Sequence, residues 1–129
     1  MITAVETAQA PAAVGPYAQA VAVDGWVFCS GQLGLDAAGG PPAPGAAGQA
    51  RQALANLRAV LAAAGCTLAD VVKTTVYLTD LGDFAAVNAV YAEAFGRHRP
   101  ARACVQVAAL PKGGVVEIEV VARIGAGIR

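Results

Sequence analysis

The sequence predicts an α+β fold: a single domain over residues 1–129 in which a mixed β-sheet carries two helices on one face. Three observations lead there. Short stretches near the start, middle and end alternate with a period of two, as half-buried strands do. Two longer stretches repeat their apolar residues at helical spacing. The order is hairpin, helix, strand, helix, hairpin. A strand–helix–strand crossover requires a parallel pair while hairpins are antiparallel, so the sheet must be mixed. Two helices suffice to cover only one of its faces.

The first hairpin is Val21 to Ser30, two short strands around Asp24-Gly25, a dipeptide suited to the positive backbone angles of tight turns. Gly39 to Gly45, rich in proline and glycine, is a loop. A helix is expected from about Ala46 to Ala64, with Leu54, Leu57, Leu61 and Ala64 on one stripe and Gly65 as a left-handed cap. In the next strand Val72, Thr74, Val76 and Leu78 oppose Lys73, Thr75, Tyr77 and Thr79. Asp80 or Asp83 can cap a second helix running to about Arg97. Its stripe is Phe84, Val87, Tyr91, Ala94 and Phe95, with Asn88 set among them. The last two strands begin at Arg102 and Val115 and are joined through Pro111. Arg102, Cys104 and Gln106 share one face of the first, and Glu117 and Glu119 one face of the second. Pairing them as a hairpin with apolar faces together puts the arginine and the carboxylates on one side.

Nine basic and nine acidic residues cancel, so no long-range field favours nucleic acid or an anionic membrane. Hydrophobic residues make up 57% of the chain, yet no run nears the roughly 20 that a spanning helix needs. No secretory signal is visible at the N-terminus. Cys29, Cys66 and Cys104 are odd in number and irregular in spacing, against both a disulfide framework and a metal site. His98, the one histidine, reads as a solvated residue in a polar link. No phosphate-binding loop occurs. A soluble cytoplasmic protein without metal or cofactor is expected. The uncovered face, with Lys73, Thr75, Tyr77, Arg102, Cys104, Gln106 and Glu117, is too mixed to form a core by itself. Burial against another subunit suits it, and clefts between subunits are common small-molecule sites.

A resemblance now becomes visible. Gly15-Pro16-Tyr17, Ser30-Gly31-Gln32, the helix from Gln49 to Gly65, Val72 to Leu78, Asn88, Arg102, and Leu110-Pro111 with Val116-Glu117-Ile118-Glu119 together resemble the Rid (YjgF) family of reactive-intermediate deaminases, in its RidA branch. The likeness runs from about Glu6 to Ala122. It implies a chorismate-mutase-like fold, a homotrimer with a site in each intersubunit cleft, and no cofactor. It also implies hydrolysis of 2-imino and enamine acids, such as 2-aminoacrylate, to 2-keto acids and ammonia. Carried over by residue, Arg102 matches the carboxylate-gripping arginine and Glu117 the glutamate near the hydrolytic water. Tyr17, Ser30, Gly31, Asn88 and Cys104 match the pocket lining. The link Gly96 to Pro100 departs from the family pattern, being short and carrying Arg99 before Pro100.

The residue types suit that chemistry. The planar fork of Arg102 makes paired charge-assisted bonds to a carboxylate, each contributing about 1.5–3 kcal/mol. Glu117 can orient or deprotonate a water. Ser30 has no neighbouring His/Asp pattern and so serves binding, through its hydroxyl and the adjacent Gly31 backbone. Cys104 has no histidine to activate it and lines the pocket. The alternative is a protein that binds small carboxylates in the same cleft without turnover. RNA cleavage would call for a basic track with stacking aromatics, which the neutral charge and 5% aromatic content oppose.

Overall fold

The structure is a computed structural model, and it describes residues 1–127. Seven strands and two helices follow the chain as β1 (Thr3–Val5), β2 (Ala20–Val23), β3 (Trp26–Cys29), β4 (Gln32–Leu33), α1 (Gly45–Ala63), β5 (Val71–Leu78), α2 (Phe84–Phe95), β6 (Ala101–Gln106) and β7 (Val116–Arg123). They form one sheet in the order β1-β2-β3-β7-β5-β6, with β4 paired to β7. All pairs are antiparallel except β5 and β6, which α2 connects by the expected crossover.

The β2–β3 hairpin turns at Asp24 and Gly25, both with positive φ, as the Asp-Gly signal implies. Helix α1 buries Leu54, Leu57 and Leu61 almost completely against the sheet, each burial contributing about 1.5–3 kcal/mol. Gly65 follows with φ 81°, the left-handed conformation that glycine adopts at lowest cost. Helix α2 stops at Phe95, two residues short of the expected end, because Gly96 turns the backbone to φ 61°. Asp80 caps a short 3-10 turn, accepting from the Gly82 amide at 2.8 Å, rather than α2 itself.

Three expectations are corrected. The last two strands do not form a hairpin: β5 lies between β6 and β7 and pairs with both. Their connection is long and contains a 3-10 turn at Pro111–Gly113, which lets β7 insert between β3 and β5 while β6 stays on the sheet edge. Second, the alternation in β5 slips at a bulge between Val71 and Lys73. Val71 is therefore fully buried and Val72 is exposed.

Third, the open face has a different membership. Strand β6 runs beside β5 with Arg102 opposite buried Thr74, and Ala103 and Val105 opposite Thr75 and Tyr77. Residues directly opposite one another share a face, so Arg102, Cys104 and Gln106 lie on the helix side. The open face instead holds Ala103, Val105, Thr75, Tyr77, Glu117 and Glu119, continuing through Val121, Phe28 and Trp26. Strands β1 and β4 went unforeseen, being too short to show a period.

Two buried side-chain amides on α1 hold the β4–β7 region in place. The Asn56 side chain donates to the carbonyls of Leu33 and Leu35 at 3.2 and 2.7 Å. Gln49 accepts from the Val115 amide at 2.8 Å, tying the start of β7 to α1. A side chain at Gly34 would meet the Gln49 backbone at 2.5 Å. Glycine there allows the close approach that lays β4 beside β7.

Candidate functional site

The β4–β7 contact brings Ser30 and Gly31 against Glu117. They join Tyr17, Leu33 and Lys112 around a cavity of about 670 Å³. Its wall is built from the N-terminal segment. The Gln19 side chain, 2% exposed, accepts from the Thr7 amide at 2.7 Å and donates to the carbonyls of Thr7 and Pro11 at 3.0 and 2.8 Å. The Ser30 hydroxyl donates to the Ala18 carbonyl at 2.6 Å, and its amide donates to Gln19. Ser30 thus pins the loop that carries Tyr17 at the cavity rim. Tyr17 is exposed and follows a tight turn in which its amide donates to the Gly15 carbonyl at 2.9 Å.

Gly31 has a steric part in this arrangement. A Cβ at this position would come within 2.7 Å of Glu117 Oε2, so the missing side chain is the room the carboxylate occupies. Glu117 is half-buried, and its proton is held above the usual glutamate range, first by desolvation and then by the nearby charge of Glu119. A carboxylate that holds its proton more tightly than usual is better suited to take a proton from water and return it.

Arg102 lies elsewhere. It lines a second cavity of about 480 Å³ with Asn88, Tyr91, Phe95, His98 and Arg99. Its Nη1 donates to Asn88 Oδ1 at 2.7 Å. Its guanidinium sits over the rings of Tyr91 and Phe84, 4.7 and 5.5 Å from their centroids. Tyr91 is in turn fixed by a 2.8 Å bond between its hydroxyl and that of Thr74. Asn88, expected in the pocket lining, therefore spends its carbonyl oxygen on orienting the arginine. His98 is not a freely solvated residue: its Nε2 bonds the Val71 carbonyl at 2.6 Å and ties the link to β5.

Cys104 follows Arg102 on β6 and packs partly into the core. Burial raises its thiol above the ordinary range despite the neighbouring Arg102 charge, which opposes a thiolate nucleophile. Cys29 is pushed up to about 12 by burial and by Cys66. Among the described residues, no three His, Cys, Asp or Glu side chains converge as metal ligands. No helix there is long and apolar enough to cross a membrane.

Within one chain, then, Tyr17, Ser30, Gly31 and Glu117 gather in one cavity, and Asn88 and Arg102 in another. The expectation that Arg102 and Glu117 share a face is overturned: Arg102 turns toward α2 and Glu117 toward the open face. It depended on a direct β6–β7 pairing that the intervening β5 prevents. Sequence reasoning also missed Gln19, Tyr91 and Lys112. Tyr91 was legible only as a core residue, and nothing local distinguishes Gln19 from a surface glutamine.

Known proteins share this arrangement of elements. A model of the family described as endoribonuclease L-PSP matches residues 7–124. The 2-iminobutanoate/2-iminopropanoate deaminase of the goat, Capra hircus, is 56% identical over 119 residues, covering 92% of this chain and 87% of the relative. The crystal structure of RidA from an Antarctic Psychrobacter superposes with a TM-score of 0.91 at 52% identity, covering 95% and 99% of the two chains. Escherichia coli TdcF with bound serine superposes at 0.90 with 44% identity, covering 94% and 98%.

Proposed function

The chain belongs to the endoribonuclease L-PSP family, also called the Rid or YjgF family, and on that premise we propose that it hydrolyses 2-imino and enamine acids to 2-keto acids and ammonia, at sites completed between copies of the chain. Kinship to a 2-iminobutanoate/2-iminopropanoate deaminase at 56% identity is the observation that carries the activity. The substrates are small, of the 2-iminopropanoate and 2-iminobutanoate size.

The chemistry follows from the groups present. An enamine such as 2-aminoacrylate first takes a proton at C3 and becomes the iminium, the protonated form of the 2-imino acid. Arg102, held over Tyr91 and steered by Asn88, grips the carboxylate with its fork. A water at Glu117 attacks C2 while the Glu117 carboxylate takes one of its protons and the C=N π pair moves to nitrogen. The tetrahedral carbinolamine collapses as the C–N bond breaks with its electron pair. Glu117 returns its proton to the nitrogen, which leaves as ammonia, and the carbinolamine hydroxyl passes its own proton back to the Glu117 carboxylate as the C=O bond forms. Solvent then takes that proton and resets the glutamate. Ser30, Gly31 and Tyr17 shape the water side of the site, and Cys104, two residues along β6 from Arg102, packs against the core beneath the carboxylate side.

Completion between copies is supported by two features. The two half-sites lie on opposite faces of one chain. The open face also exposes Trp26, Phe28 and Val105 at 39%, 45% and 42%, an apolar surface of the kind subunits cover. A closed ring of three copies sets the Arg102 cavity of one against the Glu117 cavity of the next.

The test is keto-acid formation from enzymatically generated 2-aminoacrylate, with semicarbazide as the competing trap and uncatalysed hydrolysis subtracted. Wild type accelerates the reaction, and Arg102→Ala and Glu117→Gln do not. If the two inactive variants are mixed under subunit exchange, about a quarter of wild-type activity returns, because each interface needs one intact half from each neighbour. No recovery would place both groups in one chain's site. An inert wild type would leave the cleft as a carboxylate-binding site.

A further inference from the structure

Glu117 does not stand alone on the open face. Glu119 follows it two positions along β7, on the same side of the sheet. Tyr77 of β5 is the cross-strand partner of Glu117, and Thr75 that of Glu119. The Tyr77 hydroxyl nevertheless bypasses its direct partner and donates to Glu119 Oε1. The diagonal bond fixes one carboxylate and leaves the other free to face the cavity.

We propose that Glu119 and Tyr77 are positioning residues for Glu117: an anchored negative charge, and the hydroxyl that anchors it, set to keep a proton available on Glu117 during turnover. The proposal rests on the reading of Glu117 as the group that moves the water's proton. It adds the residues that give that group its working protonation.

The surroundings favour it. Facing Glu117 are Tyr77 from β5, Leu33 from β4, Tyr17 from the N-terminal loop and Lys112 from the 3-10 turn before β7. Among the described residues, Lys112 is the one cation lining the cavity, and it is exposed on the rim, where solvent screens it. Glu119 is half-buried two residues away, so its charge acts through the protein more than through water. Tyr77 strengthens the effect in two ways. Its hydroxyl gives Glu119 a fixed hydrogen-bond donor, and it stops that carboxylate from swinging away. The phenol is held above its usual range by the same bond, so it stays a donor.

Proton balance makes the arrangement useful. Water gives up one proton on attack, and the departing nitrogen must gain one. A carboxylate with ordinary acidity would release that proton to solvent, whereas Glu117 beside a second fixed charge retains it for the amine.

The measurement is a pH titration of the Glu117 side-chain carboxyl by NMR in protein labelled with 13C at glutamate Cδ, the signal being assigned by its disappearance in Glu117→Gln. The midpoint is compared in wild type, Glu119→Gln and Tyr77→Phe. Glu119→Gln moves it to lower pH, and Tyr77→Phe moves it the same way by less. The acid limb of the kcat/KM profile moves with it. An unchanged Glu117 midpoint in Glu119→Gln would overturn the proposal whatever the activity. A Glu117→Gln variant that still turns over would instead overturn the catalytic reading of Glu117, a separate result from the midpoint comparison.

Discussion

At the scale of single residues, two contacts around Glu117 make quantitative demands. A Cβ at residue 31 would stand 2.7 Å from Glu117 Oε2, so Gly31→Ala displaces a flexible carboxylate and leaves the backbone alone. Thermal unfolding should stay near wild type while kcat/KM falls by about tenfold or more, as displacements of up to an ångström at reacting groups do. A large loss of Tm with catalysis retained would show that the glycine serves the turn and not the carboxylate. The raised proton affinity of Glu117 also has a cost in stability. Its folded-state pKa lies above the unfolded one, so the folded protein binds the proton more tightly. The contribution of Glu117 to stability is therefore largest below the ordinary glutamate value of 4.5 and is lost as pH rises through the raised folded value. Glu117→Gln removes that penalty. Its Tm should exceed that of wild type at neutral pH and converge with it in acid. A variant less stable than wild type at neutral pH would contradict this.

At the scale of elements, the site depends on how β4 is held more than on the strand itself. Two residues cannot maintain their own register; Asn56 on α1 ties β4 and the residues after it through two hydrogen bonds to the backbone, and Gln49 ties the neighbouring start of β7 through a third. Asn56→Leu leaves two buried carbonyls without a donor and should cost about 1–3 kcal/mol. Chemical denaturation would measure this, with unchanged stability as the contrary result. The helices, the Asp24-Gly25 turn and the β5–α2–β6 crossover were legible because period and turn chemistry are local properties. The position of β7 was not: nothing local in a strand states which of two eligible neighbours it will join. The bulge at Val71 was hidden for a similar reason, because one extra residue on one strand is defined only against its partner.

At the scale of the whole molecule, one chain presents two separate cavities, and the proposed completion of the site between copies calls on its apolar open face. Phe28 sits on that face, 45% exposed. Phe28→Asp should convert the assembly to monomers in light scattering and abolish deamination, while far-UV circular dichroism stays that of a folded α+β protein. An intact oligomer with full activity would disconnect the open face from assembly.

The sequence by itself determined the class of fold, the two helices, the first hairpin, the family resemblance and the identity of the chemical groups, because these depend on residue type and local period. Only the tertiary structure decided that Arg102 and Glu117 turn to opposite faces, that Asn88 serves the arginine, and that Tyr77 is tied to Glu119. Each of these depends on which strand lies beside which. Strand order is chosen by the packing of the whole sheet against α1 and α2, through contacts between residues far apart in the chain.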